Sequence, residues 1–329
     1  MMVMWGGFIA VILTVLTIDL GAFNRKPHAP TVRQALGFAG GTVILALLFA
    51  AFLHQAYANH WAGLGLTPDA VSGRANDGRL ATVKFLTGYI VELSLSMDNV
   101  FVIALIFEHL HIPLAQQHRV LFWGVIGALV MRGAMIGAGA ALVARYHWLL
   151  YVLGAFLVYA AVRMLLANGR KHTPADSAVA RFLRRRFRVT DEIHGGRFSV
   201  MRDGRRWITP LFIALLLIET TDLIFAMDSI PAIFAITTDS FLVFTSNVFA
   251  ILCLRSLYFG LALLLAKFRY LKTSLAVILG LVGGKMLATE WVKSAFGDSV
   301  NFWMLGTVAA VLMVGAGASV FANRRTAQR

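Results

Sequence analysis

The chain is built from apolar runs of about 20 residues, the length that a helix needs to cross the hydrocarbon core of a bilayer. Hydrophobic residues make up 59% of its 329 residues, whereas soluble domains contain about 45–50%. The pattern predicts an all-α, polytopic membrane protein that forms a single transmembrane domain over 1–329. About nine transmembrane helices are expected, at residues 3–23, 36–56, 85–108, 119–142, 148–166, 208–236, 242–265, 273–292 and 302–322.

The basic residues predict the orientation of these spans. Loops that follow odd-numbered spans contain 21 Lys and Arg residues, against 5 in the loops on the other side. Because basic loops stay in the cytoplasm, the N-terminus is expected outside and the C-terminus in the cytoplasm. This asymmetry accounts for the net charge of +14 without nucleic-acid binding.

The basic loop 167–207 has two local patterns. The stretch "SAVARFLRRRFRV" predicts a short amphipathic helix on the anionic inner leaflet. The stretch "RFSVMRDGRRWITP", with Asp203-Gly204 between alternating runs, predicts a small β-hairpin. The alternative is a charged linker that only sets the topology.

Two segments of the chain repeat at a shift of 130 residues: "VELSLSMDNVFVIALIF" from Val91 and "TDLIFAMDSIPAIFAI" from Thr221. The following spans also correspond, so spans 3–5 resemble spans 6–8. Since spans 3 and 6 enter the membrane from opposite sides, we expect an inverted repeat of three helices, an architecture of transporters that bind substrate near the midplane. The alternative is a chance similarity between apolar helices.

The repeat divides the chain into five parts. These are two N-terminal helices with an external loop (1–84), the first repeat (85–166), the basic loop (167–207), the second repeat (208–292) and a C-terminal helix with its tail (293–329).

Ionisable residues lie inside the predicted spans, where each unpaired charge costs about 2.5–3.5 kcal/mol. The acids are Asp19, Glu92, Asp98, Glu219, Asp222 and Asp228, and the bases are Arg132, Arg163, Arg255 and Lys285. The bases are fewer than the acids, so some acids must be protonated or must bind a cation. We expect the bases to be structural counter-ions of the acids. The alternative is a functional role, in which they pair with acids in the empty site and release them when the cation arrives.

A regular helix would keep the repeated acids apart, because residues six positions apart lie about 120° apart around the axis. Convergence therefore needs local breaks. In span 6 Pro231 would leave the carbonyl of Met227 unbonded, and in span 3 the side chains of Ser94, Ser96 and Asn99 compete with backbone bonding. The predicted site consists of two half-broken helices that present carboxylates, carbonyls, hydroxyls and amides.

Such oxygen ligands favour Mn²⁺, Ca²⁺ or Mg²⁺. The single cysteine, Cys253, rules out a thiolate cluster within the chain. Met97 and Met227 could each add a thioether that shifts the preference towards Mn²⁺; packing is the alternative role.

The motifs "ELSLSMDNVFV" and "ETTDLIFAMDSIPAIFAIT", with "DLGAFNR" after span 1 and "TPLF" at span 6, resemble the TerC family and in particular its Alx-like members. The resemblance covers nearly the whole chain. It implies a protein of the bacterial inner membrane, in the wider LysE-like transporter group, that exports Mn²⁺ as its substrate. The motif positions carried over are Glu92, Asp98 and Asn99 in the first copy, and Glu219, Asp222, Asp228 and Ser229 in the second. Valine commonly precedes each motif Asp in the family, so Met97 and Met227 leave the metal preference open.

Three functions follow as hypotheses. The first is secondary export of Mn²⁺ in exchange for protons, without an organic cofactor or enzymatic activity; the absence of a Walker A motif argues against ATP as the energy source. The second is a membrane partner that hands metal to exported proteins beside the secretion machinery, or a tellurite-resistance-type stress protein without direct transport. The third, an intramembrane aspartyl protease, would need a Gly-x-Gly-Asp motif that is not in the sequence.

Overall fold

The computed structural model describes residues 1–23, 32–146, 148–166, 188–190, 192–193, 195–202, 204–261, 270–288, 291 and 299–327, in some cases by backbone alone. Within these ranges the α-helices are α1 (Met2–Phe23), α2 (Val32–Ala58), α3 (Gly78–Leu95), α4 (Met97–His109), α5 (Leu114–Arg145), α6 (Leu149–Leu166), α7 (Pro210–Phe234), α8 (Ser240–Leu261), α9 (Leu271–Leu287) and α10 (Ser299–Ala327). Most of the described residues are helical, so the predicted α-helical class is confirmed.

The helices have the length and apolar composition of membrane spans. In the described part of the chain, five stretches are long and apolar enough to cross a bilayer: Gly37–Ala58, Leu114–Arg145, Leu149–Leu166, Pro210–Phe234 and Val300–Ser319. Shorter apolar helical stretches cover Met2–Thr17, Ser240–Leu254 and Thr273–Leu287. The chain is therefore an integral membrane protein, whereas the number of nine spans stays a prediction.

Span 3 is broken at the predicted position. Ser96 separates α3 from α4, and its amide donates to the carbonyl of Glu92 at 2.8 Å. Its hydroxyl also donates to the Glu92 carboxylate at 2.9 Å. The serine thus supplies both the helix junction and a contact to a motif acid.

The break predicted in span 6 is wrong. Helix α7 continues through Pro231 to Phe234, and the amide of Ala235 still bonds the carbonyl of Pro231 at 3.0 Å. Because Pro231 lies in the last turn of α7, it removes a backbone donor where the helix is about to end.

The helices that correspond in the predicted repeat are also neighbours. Helices α3 and α4 contact α7, α5 contacts α8, and α6 packs along α9. Helix α2 packs against α3 and α8, and α10 covers α3 and α9. These contacts bring both acidic motifs into one bundle, and the inverted relation between the copies stays a prediction.

The loops contain two short strand pairs. Strands β1 (Pro68–Asp69) and β2 (Arg74–Ala75) pair antiparallel in the connection between α2 and α3. Strands β3 (Ser199–Arg202) and β4 (Arg205–Ile208) form the predicted hairpin, with Arg202 opposite Arg205 and Gly204 at φ 68°. The predicted amphipathic helix falls almost entirely on residues 167–187, which lie outside the described residues.

Candidate ion-binding site

Arg132 of α5 lies at the centre of the acidic motifs. Its side chain is 2% exposed and forms ion pairs with Glu92 of α3 and Asp222 of α7. The distance from Nη2 to Oδ1 of Asp222 is 2.8 Å, and Nε donates to the other oxygen of Asp222 at 3.1 Å. One guanidinium thus joins the first repeat to the second.

Two amide side chains complete the surroundings of Arg132. Asn247 of α8, 1% exposed, accepts a hydrogen bond from Nη1 of Arg132 at 2.6 Å. Asn99 of α4 donates to Oδ1 of Asp222 at 3.2 Å. Five helices, α3, α4, α5, α7 and α8, therefore contribute polar atoms to this cluster.

Several oxygens in the cluster or near it are buried without a hydrogen-bond partner among the described residues. They are Oε2 of Glu92, Oδ1 of Asn99, Oγ of Ser229 and Oε2 of Glu219. A buried acceptor without a partner costs about 1–3 kcal/mol. Four buried oxygens without a described partner favour a site that a cation or a proton can occupy.

Two cavities meet at Asn99. One extends past Asp222 towards Leu121 and Tyr258, and we call it the Asp222 cavity. The other is lined by residues that include Ser96, Arg132, Asp228 and Ser229, and we call it the Asp228 cavity. Asn99 lines both cavities, so it adjoins the cavity of Asp222 and the cavity of Asp228.

The profile of the integral membrane protein TerC family matches residues 78–327. The chain belongs to the TerC family. An uncharacterized membrane protein of Myxococcus xanthus is 45% identical, over 88% of this chain and 85% of its own. Relatives named as candidate membrane-bound redox modulators, called Alx, are 41% identical in Photorhabdus laumondii, over 98% of this chain and 95% of theirs. They are 43% identical in Escherichia coli K12, over 94% and 92%. No solved structure matches the chain.

Most of the TerC motif positions converge in the structure. Glu92, Asn99, Asp222, Asp228 and Ser229 all line the cavities or the Arg132 cluster. No group of three or more His, Cys, Asp or Glu side chains is placed to hold a metal ion among the described residues. In this conformation Arg132 stands between the carboxylates of Glu92 and Asp222.

Glu219 of the TerC motif lies beside the cluster, against α5. A Cβ built on Gly127 would overlap the carboxylate of Glu219, so the absence of a side chain at 127 makes room for this acid. The second carboxylate oxygen of Glu219 is buried without a partner in the described region. Glu219 is therefore a candidate for proton or cation binding.

The remaining predicted residues are placed differently. The side chains of Asp19, Met97, Asp98 and Arg255 lie outside the described residues. Met227 is 56% exposed and so is turned away from the buried cluster. Arg163 is exposed within electrostatic range of Asp228, and Lys285 donates to Asn301 at 3.2 Å.

Sequence reasoning did not identify Asn247 or Gly127 as site residues. A signal for Asn247 was available, since it is an amide inside the apolar run "SNVFAILCL". Gly127 has no such signal, because small residues are common at all membrane helix contacts.

Proposed function

We propose that this TerC-family protein is a secondary transporter that exports Mn²⁺ from the cytoplasm in exchange for protons. The observation that carries the proposal is the set of buried oxygens without partners around Asn99, Ser229 and Glu92, beside two cavities. These oxygen donors suit a hard or borderline divalent cation such as Mn²⁺.

Arg132 acts in this proposal as the resident cation of the empty site. It neutralises Glu92 and Asp222 while no ion is bound. A Mn²⁺ ion that enters through the Asp222 cavity would bind Asp222 and Asn99. Arg132 would keep its contacts with Glu92 and Asn247. The ion would then pass to Asp228 and Ser229 through Asn99, which lines both cavities.

Proton exchange follows from the same carboxylates. A carboxylate must be deprotonated to bind a metal, so metal binding releases protons and protons displace metal. A proton that enters from outside would therefore help to expel Mn²⁺ from Asp228. Export rather than uptake follows from the predicted orientation and the family resemblance, and we place the protein in the inner membrane.

The test is Mn²⁺ flux in proteoliposomes that contain only the purified protein. We expect Asp228→Asn and Asp98→Asn to fold and to lose flux, because Asp228 lines the Asp228 cavity and Asp98 is the corresponding acid of the first motif. The matched control is Glu108→Gln, an exposed acid at the end of α4 that should leave flux unchanged. Unchanged flux in both Asp variants, or no flux with the parent protein, would reject transport at this site.

The exposed hairpin supports a second function, metal delivery to exported proteins. The hydroxyl of Thr209 donates to the carbonyl of Arg197 at 2.7 Å, which holds the hairpin to the start of α7. Arg202, Arg205 and Arg206 are exposed on it and could bind an acidic partner. Flux without any partner protein in the liposomes separates transport from delivery.

The relatives' description as redox modulators fits an indirect role here. The chain has one cysteine, Cys253, which is buried, so it cannot form a disulfide within the chain. We infer that any redox effect would follow from the Mn²⁺ level rather than from thiol chemistry of this protein.

A further inference from the structure

A second buried polar network lies near the N-terminal end of α3, away from the Arg132 cluster. The ammonium of Lys84, 1% exposed, donates to Asp69 at 3.0 Å and to Asn76 at 2.6 Å. It also donates to the hydroxyl of Ser72 at 3.0 Å. All three donors of this ammonium are used, so a buried ion pair fastens the connection between α2 and α3 to α3 itself.

The same carboxylate binds the chain that follows α7. The hydroxyl of Thr237 donates to Oδ2 of Asp69, and the hydroxyl of Thr238 donates to Oδ1 at 3.1 Å. In return the amide of Ala70 donates to the hydroxyl of Thr238 at 2.9 Å. These hydrogen bonds join the connection before α3 to the connection after α7.

Asp239 extends the network to α2. It accepts hydrogen bonds from the hydroxyl of Tyr57 at 2.8 Å and from Asn76 at 3.4 Å. We call the whole set the outer latch: Tyr57, Asp69, Asn76, Lys84, Thr237, Thr238 and Asp239.

Asp69 is held in its charged form. Burial alone would raise its pKa, but Lys84 and the Thr237 hydroxyl outweigh burial, and the pKa of Asp69 lies below its ordinary value. The carboxylate of Asp69 therefore stays charged, and it pairs with Lys84 at 3.0 Å.

The outer latch and the Asp222 cavity lie on opposite sides of the Arg132 cluster. Lys84 precedes Glu92 by eight residues of helix, about 12 Å along α3. Between them a Cβ on Gly88 would lie 2.9 Å from the hydroxyl of Ser246, so α3 and α8 pack closely at that level. On the other side of the cluster, the Asp222 cavity reaches Tyr258 near the far end of α8.

We propose that the outer latch is the external gate of the transport path and that the structure holds it closed. This inference rests on the proposed function and on the predicted orientation, which places the start of α3 outside. Opening would break the hydroxyl bonds from Thr237 and Thr238 to Asp69, which water can replace, while the buried pair of Asp69 with Lys84 stays intact.

The test measures whether the site can be reached from outside. A reporter cysteine at Ser229, which lines the Asp228 cavity, is introduced together with Cys253→Ala so that it is the only thiol in the chain. A membrane-impermeant thiol reagent is then added outside right-side-out vesicles. We expect Thr237→Val to raise the rate of external labelling several-fold, because the gate loses a hydrogen bond across the two connections.

The matched control is Thr245→Val. Thr245 is fully buried on α8, and its hydroxyl donates to the carbonyl of Phe241 within the same helix at 2.7 Å. This variant removes a buried hydroxyl without touching the outer latch, so its external labelling should equal that of the parent. If Thr237→Val does not fold, Thr238→Val replaces it.

Two results would overturn the gate: equal external labelling of the gate variant and the control, or labelling that rises only from the cytoplasmic face. Mn²⁺ flux of the protein without the reporter is measured separately. If the parent protein transports Mn²⁺ but the gate variant shows unchanged labelling, the gate is rejected and the proposed function stands. If external labelling of the gate variant increases but the parent protein does not transport Mn²⁺, the gate is supported and Mn²⁺ transport is rejected.

Discussion

At the scale of single residues, Arg132 explains how acids are tolerated in the interior of this bundle. It serves two carboxylates and an amide at once, which the planar fork of a guanidinium can do and a lysine ammonium does less well. Two acids against one base still leave a negative charge in the described cluster. That surplus is what a proton or a cation would neutralise.

Replacing Arg132 tests its role as a resident cation. We expect Arg132→Gln to lower the free energy of unfolding by about 3–5 kcal/mol, because removal of one partner leaves buried charge uncompensated. Mn²⁺ should then raise the melting temperature of this variant more than that of the parent, since the acids are free to bind metal. Thermal unfolding in detergent, with and without Mn²⁺, gives both numbers.

The control for Arg132 is Arg145→Gln, at the exposed end of the same helix. It should match the parent in both conditions. An Arg132→Gln protein as stable as the parent, with no added response to Mn²⁺, would contradict the role.

Asn99 offers a second test at this scale. Its Oδ1 is buried and has no partner among the described residues, and Asn99 lines both cavities, so it is suited to accept a passing cation. We expect Asn99→Ala to weaken Mn²⁺ binding by about tenfold or more, the loss that even outer-shell partners of metal ligands cause. Isothermal titration with Mn²⁺ measures this, and Asn59→Ala, at an exposed amide near the end of α2, is the control. Equal affinities in the two variants would remove Asn99 from the site.

At the scale of helices and loops, patterns within a few residues were predictable. The serines around Ser96 indicated the break between α3 and α4, and Asp203-Gly204 indicated the hairpin, because both signals act on neighbouring backbone groups. The sequence predicted that this helix begins at residue 85, seven residues after its observed start at Gly78. The reason is Lys84: a lysine at this position indicates a loop, and only the structure shows its buried ion pair with Asp69.

The candidate site was predictable as a set of charges and not as a set of contacts. The acids and Arg132 stand out because charge inside an apolar run is costly. The sequence could not indicate which base meets which acid, since Arg132 and Asp222 are 90 residues apart. The outer latch joins residues up to 182 apart, and several of its members lie in loops.

The packing of α5 against α7 can be tested by a substitution at Gly127. Gly127→Ala should displace the carboxylate of Glu219, which occupies the space of the new methyl group, and should cost about 1–3 kcal/mol of stability. Flux should fall as well. Gly137→Ala on the same helix is the control, because nothing lies within 4 Å of its Cβ position. Without a clash, that alanine should be neutral or slightly stabilising. Melting temperatures and flux of the two variants give the comparison, and equal values would place Glu219 elsewhere.

At the scale of the whole molecule, the two polar networks divide the bundle into an accessible side and a sealed side. The Arg132 cluster adjoins the Asp222 cavity, whereas the outer latch closes the opposite end. Each network joins distant parts of the chain through a shared carboxylate: Asp222 of α7 binds Arg132 of α5, and Asp69 binds the connection before α3 to the connection after α7. Movement of the copies against each other would therefore have to rearrange both networks.

The outer latch should make the stability of the molecule depend on pH through Asp239. Burial, with the charge of Asp69, raises the pKa of Asp239 above its ordinary value, although the Tyr57 hydroxyl, Asn76 and the amide of Leu242 act the other way. The folded protein therefore binds this proton more tightly than the unfolded chain, where an aspartic acid titrates near about 3.9. The contribution of Asp239 to stability is full below that value and is lost as pH rises through the folded pKa.

Asp239→Asn imitates the protonated acid and should remove this dependence. We expect the variant to be more stable than the parent at neutral pH, and the difference to shrink as pH falls and to vanish below about 4, where Asp239 is protonated in both states. Melting temperatures in detergent across this range provide the measurement. The control is Asp77→Asn, an exposed acid that caps α3 by accepting from the amide of Leu80 at 2.7 Å. Asp239 likewise accepts from the amide of Phe241 at 3.1 Å at the start of α8, so both substitutions change a capping carboxylate. A parent and an Asp239→Asn protein whose melting temperatures run parallel over the whole range would show that Asp239 carries no linked proton, and the outer latch would then be insensitive to pH.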